Sequence, residues 1–194
     1  MLDLIKESYT TTYNLLKKFI DLPENLENTE AVGQILATIF QAKGKVLICG
    51  NGGSATDAMH FAEEFTGRFR DHRRALPAIA LADPSHMTCV GNDYGFEEIF
   101  ARGVEAYAHS GDMVIGLSTS GNSPNVIKAL EKAKEIGCTT VALLGKDGGK
   151  LKGKCDYEFI IPGKTSDRIQ EIHMTILHIV IEVVERIMFP ENYK

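Results

Sequence analysis

A histidine and a glutamate, His60 and Glu64, stand four residues apart in the helical pattern that follows the sequence VLICGNGG. Side chains at this spacing share one face of a helix. The pair therefore suits two ligands for one metal ion, or a base beside the group that orients it. The same spacing is more often that of a surface pair, so a functional interpretation needs support from elsewhere in the chain.

The last predicted helix contains a second set of polar residues, within the sequence DRIQEIHMTILHIVIEVV. Gln170, His173 and His178 lie there in an otherwise apolar pattern. Burying an imidazole without a hydrogen-bond partner is costly, so at least one of these histidines has a polar partner. His178 is surrounded in sequence by aliphatic residues and is either a satisfied core histidine or a functional one.

Two short loops have the composition of anion sites. GNGGS at 50–54 and STSGNS at 118–123 each follow an apolar run and precede a helix, whose first amide groups point into the turn. Either loop alone is also explained as a tight turn, but the two together favour a small phosphorylated ligand. Neither matches the dinucleotide or nucleoside triphosphate motifs. The second loop supplies four hydroxyl groups, on Ser118, Thr119, Ser120 and Ser123.

Alternating apolar and amphipathic segments predict the fold that positions these residues. Consecutive apolar residues predict strands buried on both faces at 45–50, 77–82, 112–118, 139–145 and 157–162. Helical spacing predicts helices at 2–20, 31–42, 54–69, 97–107, 124–136 and 167–189, with a break at 23–28 and Ser123 as an N-cap. We expect one α/β domain over 1–194, a three-layer αβα sandwich with a five-stranded parallel sheet and residues 1–43 as an N-terminal helical extension. Ligands in such folds bind beyond the carboxyl ends of the strands.

Bulk composition disfavours several classes of partner. The chain has 194 residues and a net charge of -5, with no basic stripe that would bind nucleic acid. No apolar window of about 18 residues exists, so no membrane span is expected. The first twenty residues contain acids and hydroxyls and do not resemble a secretory signal, so a cytoplasmic location is expected. The four cysteines are widely spaced and fit reduced thiols.

Five separated stretches together resemble the sugar isomerase (SIS) domain family. They are CGNGGSATDAMHFAEE, PAIALADPSHMTCVGNDYGFEEIF, GDMVIGLSTSGNSPNVIKAL, GKDGGKL and DRIQEIHMTILH, and they occur in the family's order between Gly44 and His178. Within that family the sequence is similar to the isomerases of seven-carbon sugar phosphates.

The resemblance implies an aldose-ketose isomerase that converts sedoheptulose 7-phosphate to D-glycero-D-manno-heptose 7-phosphate, the first step toward the heptose of bacterial lipopolysaccharide or related surface glycans. It also implies a homotetramer with one zinc ion per subunit and with sites near subunit contacts. By position, the implied metal ligands are His60, Glu64, Gln170 and His178. The implied substrate contacts are Asn51, Gly52, Gly53, Glu64, Asn92, Asp93, Ser118, Thr119, Ser120, Ser123 and Gln170.

The chemistry of such a reaction suits these residues. Isomerisation through an enediol needs a base at carbon, an acid/base group at the oxygens and a group that stabilises the oxyanion. Glu64 is the candidate base and His178 the candidate acid/base partner, while zinc would polarise the substrate oxygens. Asp93 or Asp167 is a candidate for ring opening or positioning. Arg68 is either an orienting residue or a solvated helix residue.

Gln170 is the metal ligand that fits the helical geometry least well. Gln170 and His178 are eight residues apart, which corresponds to a rise of about 12 Å on a straight helix. Both reach one ion only if their side chains lean toward each other or the helix begins irregularly. An amide oxygen is also a weak zinc ligand, so Gln170 is expected to contact mainly substrate.

The sequence alone does not exclude other functions that proteins of a similar fold perform. A non-catalytic relative of the DnaA-binding type would act through protein contact, but such relatives lack the carboxylate and the imidazole found here at Glu64 and His178. A sugar-phosphate-sensing regulatory domain is disfavoured because no basic DNA-binding segment is attached. An isomerase of a hexulose or arabinose phosphate remains an alternative, since the loops do not report carbon number.

Overall fold

The computed structural model describes residues 1–194 and contains seven α-helices and five strands. The strands are β1 (Val46–Gly50), β2 (Ala78–Ala80), β3 (Met113–Ser118), β4 (Thr139–Gly145) and β5 (Tyr157–Ile161). The helices are α1 (Leu2–Ile20), α2 (Pro23–Gln41), α3 (Gly53–Thr66), α4 (Pro84–Asp93), α5 (Ile99–Tyr107), α6 (Pro124–Ile136) and α7 (Ser166–Met188).

All five strands are parallel and form one sheet in the order β2-β1-β3-β4-β5. Ile48 of β1 is in register with Ala80 of β2 and with Ile115 of β3. Crossover helices cover both faces of the sheet, which confirms the predicted three-layer αβα sandwich. The chain reverses its direction of travel across the sheet between β1 and β3, so the crevice for a ligand opens between the loops that follow these two strands.

Two hydrophobic cores hold the layers together. One core joins α1, α2, α3 and α7 to one face of the sheet, with Phe61 and Phe65 of α3 fully buried in it. The other joins α4, α5 and α6 to the opposite face, with Phe100 fully buried. Burying one such side chain stabilises the fold by about 1.5–3 kcal/mol. Because α3 and α7 share a core, their outward side chains are held at a defined separation.

Several element boundaries differ from the sequence-based predictions. The expected break at 23–28 is shorter, because Pro23 occupies the first position of α2 and starts the helix there. Helix α3 ends at Thr66 rather than at residue 69. Helix α4 was not predicted, although its start carries a recognisable signal: Pro84 follows Asp83, whose carboxylate accepts a hydrogen bond from the backbone N–H of His86 at 2.7 Å.

No helix of the structure is both long and apolar enough to cross a bilayer. The four cysteines are free, in agreement with the expectation of reduced thiols. Burial raises the pKa of the Cys49 thiol to about 12, so this residue stays protonated and belongs to the core.

Candidate active site

The two loops predicted to bind an anion lie side by side, because they follow the neighbouring strands β1 and β3. A reciprocal amide pair connects them. Asn51 Nδ2 donates to Asn125 Oδ1 at 2.9 Å, and Asn125 Nδ2 donates to Asn51 Oδ1 at 2.8 Å. Asn125 is buried and was not singled out from the sequence. A polar residue in the first turn of a helix that follows a buried strand is the signal that could have revealed it.

The hydroxyl groups of the second loop are partly engaged with one another. Ser118 Oγ and Ser123 Oγ are 2.9 Å apart, and Thr119 Oγ1 lies 3.0 Å from Ser166 Oγ at the start of α7. Ser123 occupies the predicted N-cap position of α6, but its side chain makes no capping hydrogen bond. The backbone N–H of Val126, in the first turn of α6, donates instead to Asn125 Oδ1 at 3.0 Å.

A close backbone contact gives the second loop its shape. Gly121 has a φ of 63°, and a Cβ there would lie 1.9 Å from the carbonyl oxygen of Gly148. The backbone N–H of Leu151 also donates to the Gly121 carbonyl at 3.1 Å. The stretch GKDGGKL at 145–151 therefore packs against the second loop, and only glycine at residue 121 permits this close approach.

Three candidate metal ligands meet between α3 and α7. One ligand atom each from His60, Glu64 and His178 lies within 4.8 Å of the other two. His60 Nε2 is 3.2 Å from Glu64 Oε1, and the two imidazole rings are 5.0 Å apart at an angle of 79°. Two imidazole nitrogens and one carboxylate oxygen form a donor set that binds a divalent metal ion. The structure thus brings together three of the four residues that were predicted as metal ligands, His60, Glu64 and His178.

The surroundings of His178 favour its neutral form. Burial lowers the pKa of His178 below its ordinary value of 6.5, and the nearby His60 lowers it further, while Glu64 acts in the opposite direction. The ring of Phe69 packs against His178 with 5.8 Å between the ring centroids. A neutral imidazole has a lone pair, which is required both for metal binding and for accepting a proton.

Gln170 lies on α7 about two turns before His178, and its side chain contacts the start of α3. Its Nε2 donates to Ser54 Oγ at 3.3 Å, and a Cβ on Gly53 would be 2.7 Å from its Oε1. Ser54 precedes His60 by six residues, a rise of about 9 Å along α3. The structure thus places Gln170 beside the first loop, whereas His178 lies beside His60.

The remaining predicted residues are more peripheral in this single chain. Asn92 Nδ2 donates to Asp93 Oδ1 at 2.7 Å, at the exposed end of α4, which packs mainly against α5 and the turn before it. Arg68 is exposed just after α3. Asp167 is exposed in the first turn of α7, 3.3 Å from Arg168, and a hydrogen bond from Thr165 lowers the pKa of its carboxyl group.

Comparisons with known proteins identify the family of this chain. The family model described as "SIS domain" matches residues 9–145. The chain is 73% identical to the phosphoheptose isomerase of Fusobacterium nucleatum over 96% of each chain. It is 50% identical to that of Vibrio cholerae, covering 96% of this chain and 98% of that one.

A solved structure shows the same fold throughout. Phosphoheptose isomerase GmhA from Neisseria gonorrhoeae superposes with a TM-score of 0.88 at 35% identity, covering 95% of this chain and 98% of that chain. Sequence and structure therefore agree over nearly the whole length. This chain belongs to the SIS domain family and, within it, to the phosphoheptose isomerases.

Proposed function

We propose that this protein interconverts sedoheptulose 7-phosphate and D-glycero-D-manno-heptose 7-phosphate in heptose biosynthesis. The observation that carries the proposal is the meeting of Glu64 with His60 and His178 within 4.8 Å. A non-catalytic SIS protein has no need of a carboxylate and two imidazoles at this position. The high identity to phosphoheptose isomerases supports the same conclusion.

The two loops would hold the phosphate and the sugar hydroxyls. The backbone amides at the starts of α3 and α6 favour an anion, because helix N-termini carry a partial positive charge. Gln170 would face the sugar from the first loop, beside Gly53. We assign substrate contacts to Asn51, Gly52, Gly53, Glu64, Asn92, Asp93, Ser118, Thr119, Ser120, Ser123 and Gln170.

Glu64 and His178 would share the proton transfers. In the direction from ketose to aldose, Glu64 takes a proton from C1, which forms an enediolate. His178, neutral at the start, takes the proton from the oxygen at C1 and delivers it to the oxygen at C2, and Glu64 then returns its proton to C2. The net change moves one hydrogen from C1 to C2 and one between the two oxygens, so each group ends in its starting state. Asp167 and Arg68 are assigned auxiliary positioning roles.

The donor set fits zinc, one ion per subunit, held by His60, Glu64 and His178. Zinc sites with three protein ligands leave a position open for substrate, and the ion supplies Lewis-acid polarisation of the substrate oxygens. Gln170 would join as a fourth ligand only if its side chain left Ser54 and moved toward the three others.

We further propose a homotetramer. The outer face of α1 exposes Leu2, Ile5, Tyr9 and Tyr13, and Tyr9 is 76% exposed. A row of apolar side chains of this size on one helix is typical of a surface covered by another subunit. In such an assembly, the sites would lie near subunit contacts. The cytoplasmic location stays a prediction.

A panel of ketose phosphates with five, six and seven carbons tests the proposed function. The purified protein is incubated with each sugar, and aldose formation is followed by NMR. We expect turnover to be fastest with sedoheptulose 7-phosphate. Faster turnover of a shorter sugar would support the alternative isomerases, and binding of DnaA with no turnover of any sugar would support the non-catalytic function.

A further inference from the structure

A buried arginine lies behind the candidate active site, on the connection between α3 and β2. The Arg73 side chain is 1% exposed, and its guanidinium group donates to three carbonyl oxygens at the end of α3. The acceptors are Glu64 at 2.5 Å, Phe65 at 2.8 Å and Gly67 at 3.0 Å. Carbonyl groups in the last turn of a helix lack intrahelical partners, so Arg73 acts as a cationic cap.

The same guanidinium group is anchored to α7. Arg73 Nε donates to Glu185 Oε1 at 2.8 Å, and the Glu185 side chain is also 1% exposed. The other carboxylate oxygen accepts a hydrogen bond from the Tyr193 hydroxyl at 2.7 Å. Glu185 lies two turns beyond His178 on α7. A continuous polar chain therefore runs from Tyr193 through Glu185 and Arg73 to the backbone of Glu64.

We propose that Arg73, Glu185 and Tyr193 form a clamp that positions the Glu64 carboxylate against His178. The proposal rests on the function proposed above. Glu64 and His178 belong to different helices, and the clamp bonds the carbonyl group of Glu64 itself to α7. Arg73 touches no reacting atom and is therefore a positioning residue.

Stability alone does not account for this arrangement. Desolvation offsets much of the attraction within a buried ion pair, and apolar residues of similar volume often replace such a pair at no cost. The apolar core between α3 and α7 is already extensive. Apolar contacts do not fix the orientation of the helix end. The rigid, planar guanidinium group does, because its hydrogen bonds to several carbonyl groups fix the rotation of the last helical turn.

A second arginine on the same connection provides a matched control. Arg70 Nη2 is 2.8 Å from Glu182 Oε2 on α7, and the Arg70 side chain is 48% exposed. This pair also links the connection to α7, but Arg70 donates no hydrogen bond to the carbonyl groups of α3. An arginine-to-lysine change at residue 70 therefore removes a guanidinium link to α7 without touching the Glu64 backbone. Lysine keeps a positive charge near the rings of Phe69 and Tyr193, over which Arg70 lies.

The test compares Arg73→Lys with Arg70→Lys, each as a full-length, metal-loaded protein. Rates with sedoheptulose 7-phosphate give kcat and KM, and titration of the metal-free protein with Co²⁺ alone gives metal affinity and the visible absorption band. We expect Arg73→Lys to lower kcat or Co²⁺ affinity by about 10-fold to 100-fold, the range seen when groups supporting metal ligands are lost. KM should stay within about twofold because the phosphate loops are not altered, and Arg70→Lys should leave every value within about twofold.

If Arg73→Lys does not fold, Tyr193→Phe tests the proposal instead, because it keeps the ion pair between Arg73 and Glu185. It should produce a smaller loss of kcat or Co²⁺ affinity, again at unchanged KM. The proposal is overturned if the folded variants keep kcat and Co²⁺ affinity within about twofold, if the loss is confined to KM, or if Arg70→Lys loses as much. An inactive unsubstituted protein would refute the proposed function instead, and the Co²⁺ titration would still test the clamp.

Discussion

Replacing Glu64 with glutamine tests the assignment of the base most directly. Glutamine keeps the volume and one oxygen of the glutamate side chain but accepts no proton at neutral pH. The Glu64 side chain is only 16% exposed, so bulk water has limited access to take over its role. A positioned general base contributes about 10²–10⁴ in rate, which corresponds to about 3–5 kcal/mol of transition-state stabilisation. We expect kcat to fall about 10³-fold.

The neighbouring Glu63 provides a control with the same change in charge. Its side chain is 64% exposed, and its Oε1 lies 3.9 Å from His60 Nε2, so it belongs to the rim of the site. Glu63→Gln should change kcat by less than about threefold, because an exposed charge at this distance is screened by solvent. The two variants together separate the loss of a base from the loss of one negative charge near His60.

The assay must distinguish proton transfer from metal loss, because Glu64 is also a proposed metal ligand. Both variants are measured with saturating Zn²⁺, and metal content is determined by elemental analysis. Protection against thermal unfolding by sedoheptulose 7-phosphate reports binding, which should survive in Glu64→Gln because the phosphate loops are intact. If Glu64→Gln is fully metal-loaded and keeps kcat within tenfold of the unsubstituted protein, Glu64 is not the base.

Stability, substrate binding and assembly each depend on a different group. Burial lowers the pKa of His173 to about 4 from 6.5, so the unfolded state binds more protons between these values and stability falls as the pH drops through this window. Between pH 7 and pH 5, the free energy of unfolding measured with urea should fall by about 2 kcal/mol more in the unsubstituted protein than in His173→Leu. An equal fall in both proteins would contradict this role of His173. Asn125→Leu removes both hydrogen bonds to Asn51 and should raise KM about tenfold in initial-rate measurements; an unchanged KM would show that the pair does not shape the loops. Tyr9→Glu should convert the proposed tetramer to smaller species in light scattering, whereas a monomeric unsubstituted protein would refute the proposed assembly.

The order of elements and the positions of the two loops at strand ends could be predicted from the sequence, because both depend on local patterns. Runs of apolar residues mark parallel strands, and spacings of three and four mark amphipathic helices. The pair His60 and Glu64 belongs to one helix, so their proximity followed from spacing alone. The unpredicted α4 shows the limit of this reasoning. A short polar helix has little apolar periodicity, so its sequence signal is confined to the cap residue Asp83 and the proline that follows it.

Only the tertiary structure decided which distant residues meet. The packing of α7 beside α3 brings His178 to His60 and Gln170 to Ser54. The separation of Gln170 from His178 followed from helix geometry, but the residues of α3 that each one meets did not. Arg73 has the same charge and flexibility in the sequence as its exposed neighbours Arg70 and Arg74, yet it alone is buried against Glu185. Sequence patterns report which face of an element is apolar, but the depth and register at which two elements pack depend on all the side chains between them.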